Sequence, residues 1–345
     1  MANPSLRPVA IHHRKDSFSE RWIEACKERN IPFEVVDAHR PDIMATLARV
    51  RALLWHFHMQ EPDIFMARHV LRAAEGMGLP VFPNSATAWH FDDKVAQKYL
   101  LEAIGAPLAQ TWVFYDRKQA LEWIESTGFP KVFKLRRGSG SRNVRLVRDR
   151  GEAARLVNQA FGRGFRASGL QVTGELWKIQ RAAGRKELLP FLLGLPAKAR
   201  RRLAFDTVMG RERGYVYFQD FIPDNKFDTR ITVIGSRAFG FTRDIRPDDF
   251  RASGSGRIVY DQTRIRRRCL EVAFEAAARI GSQSMAFDFV FDPADQIRLL
   301  EISLGYDPNV VHGCEGHWNS NFEWIAGRLR PEDAILEDLL GSLRS

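Results

Sequence analysis

Short apolar runs alternate with longer amphipathic stretches over the first 82 residues of the chain. Each run is too short for a helix, and each spacer is long enough for one. A small parallel sheet covered by helices buries all of these apolar segments at once. The runs occupy residues 9–11, 33–36, 52–55 and 80–82, and the spacers occupy 17–28, 43–50 and 62–77. We therefore predict an N-terminal α/β domain over residues 1–84.

A predicted helix follows residue 84, and from Thr111 the pattern changes to mixed elements of the α+β type. Ser85 is a candidate N-cap for a helix over 86–104, which would close at Gly105. Two Gly/Ser loops follow, at 138–141 and 253–256, between helices and strands. Predicted strands cover 112–115, 131–135, 144–147, 215–222, 231–234, 238–241, 285–291 and 297–302, and predicted helices cover 117–126, 151–160 and 264–280.

These elements predict a second domain over residues 85–330 and a C-terminal tail helix over 331–345. Within the second domain we expect a central lobe at 106–215 and a C-terminal lobe at 216–330. A basic, weakly periodic helical stretch at 163–214 is predicted to be an insertion in the central lobe.

The composition is that of a folded protein with anionic partners. Hydrophobic residues make up 45% of the 345 residues and charged residues 27%, which excludes a disordered or collagen-like chain. Lys and Arg outnumber Asp and Glu by 52 to 42, and the net charge of +10 favours anionic ligands. Cys26, Cys269 and Cys314 are far apart and predict no disulfide framework, and no apolar stretch is long enough to span a bilayer. We expect a cytoplasmic protein without membrane contact.

Lys134 lies inside an apolar run, and a lysine buried there is expected to pair with an anion. Two arginines and the loop Gly138, Ser139, Gly140 and Ser141 follow it, and backbone N–H groups of such a loop can bind phosphate. A solvent-facing lysine on an edge strand is the alternative interpretation. Neither Gly/Ser loop matches G-x-x-x-x-G-K-[ST] or G-x-G-x-x-G, which disfavours a P-loop NTPase and a Rossmann-type dehydrogenase.

Two acids, Asp288 and Glu301, occupy core-like strands near the C-terminus. Charged residues are seldom buried without a partner, so both are candidate oxygen ligands for a hard cation such as Mg²⁺. Pairing of each acid with an arginine, or capping of a strand end, is the alternative. Arg230, Arg243 and Arg251 precede the acids and offer bidentate donors that suit a phosphoryl group.

The order of these features resembles the ATP-grasp superfamily. The features are a lysine before a helix, a lysine on a strand before a Gly-rich loop, a hinge strand, arginines, and acids on the last two strands. The resemblance covers roughly residues 85–309, and it is strongest to ligases such as the ribosomal-protein glutamate ligase, glutathione synthetase and D-alanine:D-alanine ligase. It implies an ATP-grasp fold preceded by a Rossmann-like parallel-sheet domain.

The resemblance implies nucleotide-binding roles for one set of residues. Lys94 and Lys134 would be the two nucleotide-binding lysines, the second on the α- and β-phosphates, with the loop from Gly138 to Ser141 closing over them. Asp228 would bind the ribose. The hinge whose backbone pairs with adenine would be Gln219, Asp220, Phe221 and Ile222.

The resemblance also implies catalytic and metal-binding roles. Arg230 and Arg243 would hold the γ-phosphate and the acyl phosphate, and Arg251 would lie near the acceptor. Asp288 and Glu301 would bind Mg²⁺, with Mn²⁺ as a substitute. Two positions depart from the family pattern, because Ser303 and Ser253 stand where the family has asparagine. Ser303 still offers a neutral oxygen to the metal.

The implied activity is ligation of a carboxylate to an amine, or a thiol, at the expense of ATP, through an acyl phosphate and with release of ADP and phosphate. Small-molecule substrates, such as a sugar acid or an amino acid, and a homodimer are implied as well. Three alternatives remain: an ATP-grasp-like kinase that phosphorylates a hydroxyl, a catalytically impaired nucleotide-binding protein, and a basic nucleic-acid-binding module. The last is disfavoured because the basic runs lack interleaved aromatic residues.

Two histidine-containing segments allow more than one interpretation. His312, Cys314 and His317 are good zinc ligands, but their spacing matches no common closed site, and a loop lining the acceptor pocket or a plain structural loop is the alternative. His12 and His13 end the first strand, at the carboxyl edge where open α/β sheets bind ligands. A surface histidine pair is the alternative there.

Overall fold

A computed structural model describes residues 7–138, 143–166, 206–245, 250–252 and 256–343. The chain forms two compact units. Unit 1 comprises Met1–Phe91, Tyr99–Leu108 and Asp224–Ser345, and unit 2 comprises Asp92–Lys98 and Ala109–Pro223. The domain limits expected from the sequence stay predictions. Within the described ranges, no helix is both long enough and apolar enough to cross a membrane.

Unit 1 begins with the four-stranded parallel sheet that the alternating pattern predicts, here called the N-terminal sheet. Its strands are β1 (Val9–His12), β2 (Phe33–Val36), β3 (Ala52–Leu54) and β4 (Val81–Phe82), and its helices are α1 (Phe18–Glu28), α2 (Ile43–Leu47) and α3 (Asp63–Gly76). The strand order is β2-β1-β3-β4. All four residues of β1 are buried, as expected of an inner strand in a sheet of this kind.

The rest of unit 1 is built on a seven-stranded sheet, here called the large sheet. Its strands are β11 (Phe227–Ile234), β12 (Arg237–Asp244), β13 (Ile258–Val259), β14 (Ser284–Phe291), β15 (Ile297–Ser303), β16 (Gly316–Asn319) and β17 (Trp324–Ala326). The order is β15-β14-β11-β12-β16-β17, with β13 paired to β12, and neighbouring strands are antiparallel.

The two faces of the large sheet differ because successive side chains on a strand alternate in direction. One face packs on α8 (Arg267–Ile280), whose buried side chains join Ile231, Phe287 and Phe289 in a single core. The opposite face carries the residues that alternate with these core residues along each strand, including Arg230 and Asp288. The packing of α8 thus fixes which face of the sheet presents the charged residues.

Two further helices complete unit 1, α9 (Pro308–His312) and α10 (Pro331–Gly341). The C-terminal helix α10, predicted from the sequence as a tail, is tied to α1. Arg21 binds the carboxylate of Asp333 with two nitrogens at 2.7 and 2.8 Å, and Trp22 donates its indole N–H to the carbonyl of Glu332 at 2.9 Å.

Unit 2 contains a four-stranded antiparallel sheet. Its strands are β5 (Thr111–Phe114), β6 (Lys131–Lys134), β7 (Val144–Val147) and β10 (Val216–Asp220), in the order β5-β10-β6-β7. The helices α6 (Arg117–Ser126) and α7 (Arg150–Phe161) pack on it, and Ile124, Phe133, Val157 and Phe218 lie in the shared core. The lysines at both ends of β6 are buried at the edges of this core.

The long helix predicted over 86–104 is wrong, since the structure has two helices, α4 (Ser85–Ala88) and α5 (Lys94–Ala103). Asp92 adopts φ 53, a left-handed conformation that interrupts a right-handed helix. The Asp93 carboxylate then accepts hydrogen bonds from two N–H groups of the first turn of α5. The cap of α4 is Asn84, not Ser85.

The predicted helical insertion at 163–214 lies largely outside the described residues. In its described parts the structure has two short strands that pair antiparallel, β8 (Phe165–Arg166) and β9 (Arg211–Glu212), and a helical segment at 206–209. Strands β11 and β12 are longer than predicted, because the charged residues that interrupt their apolar pattern are paired with each other across the sheet.

Candidate functional site

Five charged residues lie side by side across four strands on the open face of the large sheet. Arg243 on β12 is directly opposite Asp228 on β11, Arg230 on β11 is opposite Asp288 on β14, and Asp288 is opposite Glu301 on β15. Directly opposed residues in antiparallel strands point to the same face. We call this row the charged ladder. It unites five of the residues that the sequence singles out.

Four members of the charged ladder are joined by bidentate ion pairs. Arg243 donates to the two oxygens of Asp228 at 2.7 and 2.6 Å, and Arg230 donates to the two oxygens of Asp288 at 2.6 and 2.7 Å. Arg243 also lies 2.9 Å from Oδ2 of Asp288. Paired guanidinium and carboxylate groups of this geometry are fixed in orientation as well as in charge.

Burial and charge act in opposite directions on these acids. Asp288 is 4% exposed. Burial alone would raise its pKa, but the charges and hydrogen bonds of Arg230 and Arg243 outweigh burial and lower the pKa of Asp288. Burial raises the pKa of Asp228 and outweighs the opposite effect of Arg243. The same arginine also contacts Asp288. Asp288 is therefore ionised at neutral pH.

The end of the charged ladder offers oxygen ligands for a hard cation. Asp288 and Glu301 face each other across β14 and β15, and Ser303 lies two residues further on the same side of β15. Oδ2 of Asp288 has two arginine nitrogens against it and Oδ1 has one, so Oδ1 has more room for a cation. Two carboxylates and a hydroxyl fit Mg²⁺, which prefers oxygen ligands.

Ser303 and the turn after it have their own hydrogen bonds. The Ser303 hydroxyl donates to the carbonyl of Gly305 at 3.3 Å. Asp307 caps α9 by accepting from the N–H of Asn309 at 2.9 Å. Asp307 thus has a local structural role as a helix cap. The Ser303 hydroxyl, at the end of β15, remains the third candidate oxygen ligand after the carboxylates of Asp288 and Glu301.

In unit 2, the start of the first Gly/Ser loop is bound to the start of α5. Lys94 is 6% exposed and donates through Nζ to the carbonyl of Gly138 at 2.8 Å. The Asp92 carboxylate accepts from the N–H of Gly138 at 2.8 Å, and the N–H of Lys94 donates to the carbonyl of Arg136 at 3.0 Å. The predicted first nucleotide lysine is therefore in contact with the predicted phosphate loop.

Gly138 is held in a conformation that favours glycine. Its φ is +119, and a Cβ there would lie 2.6 Å from Nδ2 of Asn143. That amide in turn donates to the carbonyl of Arg137 at 2.6 Å. Ser139, Gly140 and Ser141 lie outside the described residues.

Lys134 ends β6 as a buried residue, 5% exposed, with Nζ 6.0 Å from the ring centroid of Tyr217 on the neighbouring strand β10. Tyr217 and Tyr215 pack with Val95, which follows Lys94. Lys134 is therefore buried rather than solvent-facing.

The predicted hinge spans the end of β10. Gln219 is buried and donates through its amide to the hydroxyl of Thr111 at 3.1 Å, and Asp220 accepts from Nζ of Lys131 at 2.5 Å. The strand is paired on both sides up to Asp220. Phe221 and Ile222 follow the paired segment, so they are the hinge residues whose backbone lies beyond the sheet.

Arg251 lies in the short described stretch 250–252, with its guanidinium carbon 5.8 Å from the ring centroid of Phe250. It is not part of the charged ladder. Asp249 and Ser253, which flank it in the predicted acceptor segment, lie outside the described residues.

The structure does not bring together His312, Cys314 and His317 as a zinc site. Cys314 is buried with its sulfur 3.7 Å from the carbonyl of Gly240, and the His317 ring packs near Phe239. Among the described residues, the ligand atoms of three His, Cys, Asp or Glu side chains approach within 4.8 Å in one group only, which is His12, His39 and Asp63.

The group of His12, His39 and Asp63 is a hydrogen-bond network. Nε2 of His39 lies 2.7 Å from Oδ1 of Asp63, the N–H of His58 donates to Oδ2 of Asp63 at 2.8 Å, and the N–H of Ala38 donates to Nδ1 of His12 at 2.9 Å. Metal-binding histidines usually donate their second ring nitrogen outward, whereas His12 accepts there. We therefore interpret the group as hydrogen-bonded, not metal-binding.

The sequence interpretation named His12 and His13 but missed Arg14, His39, His56, His58 and Asp63. A signal was present, because each of the first three strands is followed within three residues by a histidine. The carboxyl ends of parallel strands meet at one edge of the sheet, so these residues had to converge.

No protein-family model matches the sequence. A curated protein, the alpha-aminoadipate–LysW ligase LysX of Saccharolobus solfataricus, is 27% identical over 92 residues, which are 24% of this chain and 34% of that ligase. The match thus spans about a third of the curated relative.

Solved ATP-grasp structures are similar over nearly the whole chain. The biotin carboxylase domain of 2-oxoglutarate carboxylase from Hydrogenobacter thermophilus, in complex with ADP and bicarbonate, has a TM-score of 0.61 at 15% identity, covering 97% of this chain and 70% of that one. N5-carboxyaminoimidazole synthase from Aspergillus clavatus has 0.57 at 12%, covering 97% and 77%. The ATP-grasp ligase PsnB has 0.57 at 15%, covering 99% and 100%. The chain has the ATP-grasp fold, and the resemblance inferred from the sequence is confirmed at that level.

Proposed function

We propose that this ATP-grasp chain is an ATP-dependent ligase that joins a carboxylate to an amine and releases ADP and phosphate. The observation that carries the proposal is the charged ladder, in which two arginines and three acids lie on one face of a sheet. Its formal charges sum to −1, so a divalent cation would leave it positive and suited to a phosphoryl group. The solved ATP-grasp relatives, several of them in complex with ADP or ATP, support a nucleotide as the phosphoryl donor.

In the proposed first step, a substrate carboxylate attacks the γ-phosphorus of ATP, the bond to the ADP oxygen breaks, and an acyl phosphate and ADP result. Arg230 and Arg243 would stabilise the charge on the transferred oxygens, because their guanidinium groups are already oriented by Asp288 and Asp228. Mg²⁺ held by Asp288, Glu301 and Ser303 would neutralise phosphate charge and orient the nucleotide.

In the proposed second step, a neutral amine attacks the acyl carbonyl, inorganic phosphate leaves, and the amine nitrogen loses a proton. Arg243 would stabilise the oxyanion, and Arg251 would contact the acceptor, as the family resemblance implies. Lys94 and Lys134 would bind the nucleotide phosphates, and Phe221 and Ile222 would contact adenine. Water must be kept out during this step, since acyl phosphates hydrolyse, and the loop that begins at Gly138 is suited to cover the phosphates.

The geometry changes the proposed role of Asp228. Both of its oxygens accept from Arg243, so we propose that it positions this arginine. The ribose role implied by the resemblance stays a prediction, and it would require lone pairs that Arg243 does not use.

The test is a screen for ADP and phosphate release over pairs of carboxylates and amines with MgATP. A ligase releases free phosphate at full rate only when both substrates are present, and mass spectrometry finds an amide product. A kinase would leave the phosphate on a hydroxyl of its substrate, which contradicts the proposal. A thermal-shift titration gives the second criterion, since a chain that neither ATP nor ADP stabilises in the presence of Mg²⁺ is not such a ligase.

A further inference from the structure

Polar residues converge at the carboxyl edge of the N-terminal sheet. His12, His13 and Arg14 come at the end of β1, His39 follows β2, and His56 and His58 follow β3. Five of the nine histidines of the chain are therefore at this one edge. Ligands of open α/β sheets bind at the carboxyl ends of the strands, so this edge is where a ligand is expected.

Arg14 is a cation of this edge, and its Nε is buried without a hydrogen-bond partner. Its backbone is fixed, because the N–H of Arg14 donates to the Ser19 hydroxyl at 3.1 Å and its carbonyl accepts from the same hydroxyl at 3.1 Å. A buried donor that lacks an acceptor is costly, and a carboxylate or phosphate oxygen would satisfy both the hydrogen bond and the charge.

Two histidines that follow β3, His56 and His58, have lowered pKa values beside Arg14. Burial and, to a lesser extent, the neighbouring charge of Arg14 together lower the pKa of His56 to about 3. Burial and Arg14 also lower the pKa of His58. Asp63, a buried acid at the same edge, has its two oxygens engaged by the His39 ring and the N–H of His58. Arg14 thus supplies positive charge, and His56 and His58 supply neutral imidazoles.

The edge is connected to the turn after β15 by packed aromatic rings. The Phe18 ring stacks on His56 with centroids 3.8 Å apart, and it lies 5.3 Å from the ring of Tyr306. Tyr306 is three residues beyond Ser303, and its hydroxyl is 2.7 Å from that of Ser284. A chain of ring contacts therefore runs from His56, whose pKa Arg14 lowers, through Phe18 to Tyr306 in the turn after β15.

We infer that Arg14 binds a second carboxylate of the substrate, one that is not activated. The inference rests on the proposed ligase function and names a substrate class, which is an acid with two carboxylates, such as a dicarboxylic acid or an acidic amino acid. The carboxylate that reacts has to reach the phosphoryl group near the charged ladder. The carboxylate at Arg14 would orient the molecule, because Arg14 lies at the end of β1 and is not a member of the charged ladder.

The experiment measures binding and turnover of four diacids, succinate, glutarate, L-aspartate and L-glutamate, each compared with its monoamide. Binding to the full chain is measured by calorimetry without ATP, and KM for each acid is measured in the ADP-release assay. Arg14→Gln is compared with Arg14→Lys and with Lys15→Ala, which removes an exposed charge next to Arg14.

We expect at least one diacid to bind more tightly than its monoamide, and Arg14→Gln to weaken that diacid by about 10- to 100-fold, as for the loss of a hydrogen-bonded charge pair. Arg14→Lys should restore part of the loss, KM for ATP should stay unchanged, and Lys15→Ala should bind the diacid normally. Wild-type affinity in Arg14→Gln, or a wild-type chain that binds no diacid better than its monoamide, would overturn the inference.

The two proposals fail separately. If the chain turns over carboxylates but Arg14→Gln keeps the wild-type KM, the ligase function stands and the Arg14 site is wrong. If no ADP is released with any substrate but a diacid binds and Arg14→Gln abolishes that binding, the site stands and the ligase function is wrong.

Discussion

Asp288 on β14 lies directly opposite Arg230 on β11, and its two oxygens accept hydrogen bonds from Nε and a terminal nitrogen of that arginine. Arg243 approaches the same carboxylate from β12 at 2.9 Å. One buried acid therefore orients both arginines that the proposed chemistry requires. Removing its charge should affect both the stability of the large sheet and the geometry of the site.

Asp288→Asn is expected to lower the free energy of unfolding by about 3–5 kcal/mol at pH 7, because it leaves buried guanidinium charge uncompensated. The pKa of Asp288 is below that of an unfolded aspartate, near 3.9, so its contribution is complete above about pH 4 and is lost as the pH falls below that value. Thermal or urea unfolding between pH 7 and pH 3 should show the difference between wild type and variant shrinking below pH 4. A constant difference over this range would contradict the assigned pKa direction.

Arg243→Lys is expected to destabilise the chain and to slow turnover, because an ammonium cannot bind Asp228 with two nitrogens while also contacting Asp288. Arg237→Lys is the matched control, since Arg237 lies on the same strand β12 and pairs with the more exposed Asp338. Urea unfolding should show a loss above 1 kcal/mol for the first variant and a loss of less than about 0.5 kcal/mol for the second. Equal losses of unfolding free energy in the two variants would mean that the buried ion pairs of Arg243 stabilise the chain no more than the more exposed pair of Arg237.

Glu301→Gln is expected to remove the Mg²⁺-dependent part of nucleotide binding. At about 100 times its Kd, a ligand stabilises the folded chain by about 2.7 kcal/mol, so thermal shifts can resolve this part. ADP with Mg²⁺ should stabilise wild type more than ADP with EDTA, and the variant should show no such difference. The exposed Glu275→Gln, on α8, should behave as wild type. A Mg²⁺ effect that persists in Glu301→Gln removes this acid from the metal site.

Lys134→Ala is expected to weaken ADP binding by about tenfold or more, because the buried ammonium is proposed to meet phosphate charge. The exposed Lys118→Ala on α6 is the control. Calorimetric titration at two salt concentrations should show that the affinity lost in Lys134→Ala is largest at low salt. If ADP binds both variants equally, Lys134 is not a phosphate ligand.

Gly138→Ala is expected to weaken nucleotide binding and to destabilise unit 2 by about 1 kcal/mol or more. An alanine at φ +119 is strained, and its Cβ would collide with the Asn143 amide that fixes the start of the loop. Gly128→Ala, where no neighbouring atom lies within 4 Å, is the control. Unchanged ADP affinity in Gly138→Ala would show that the start of the loop does not bind the nucleotide.

Most elements could be predicted from the sequence because their signals are local. The period-two and helical patterns identified the parallel N-terminal sheet, the helix α6 and the core strand β14 to within a residue or two. The helix over 86–104 was predicted wrongly, because the left-handed turn at Asp92 breaks an otherwise helical pattern. The first half of β11 was not predicted as strand, because it contains charged residues that interrupt the apolar pattern. Such a pattern cannot show that an acid on one strand pairs with an arginine on the next.

The sequence by itself determined the order of the chemical groups along the chain and the apolar segments that carry them, because hydrophobic periodicity and turn residues act over a few neighbours. Only the tertiary structure decided which groups meet. The antiparallel register placed Arg230 against Asp288 and Arg243 against Asp228, and the strand order β2-β1-β3 brought the histidines of three separate loops to one edge of the N-terminal sheet. Register and strand order depend on contacts between residues far apart in the chain, and a local pattern does not contain them.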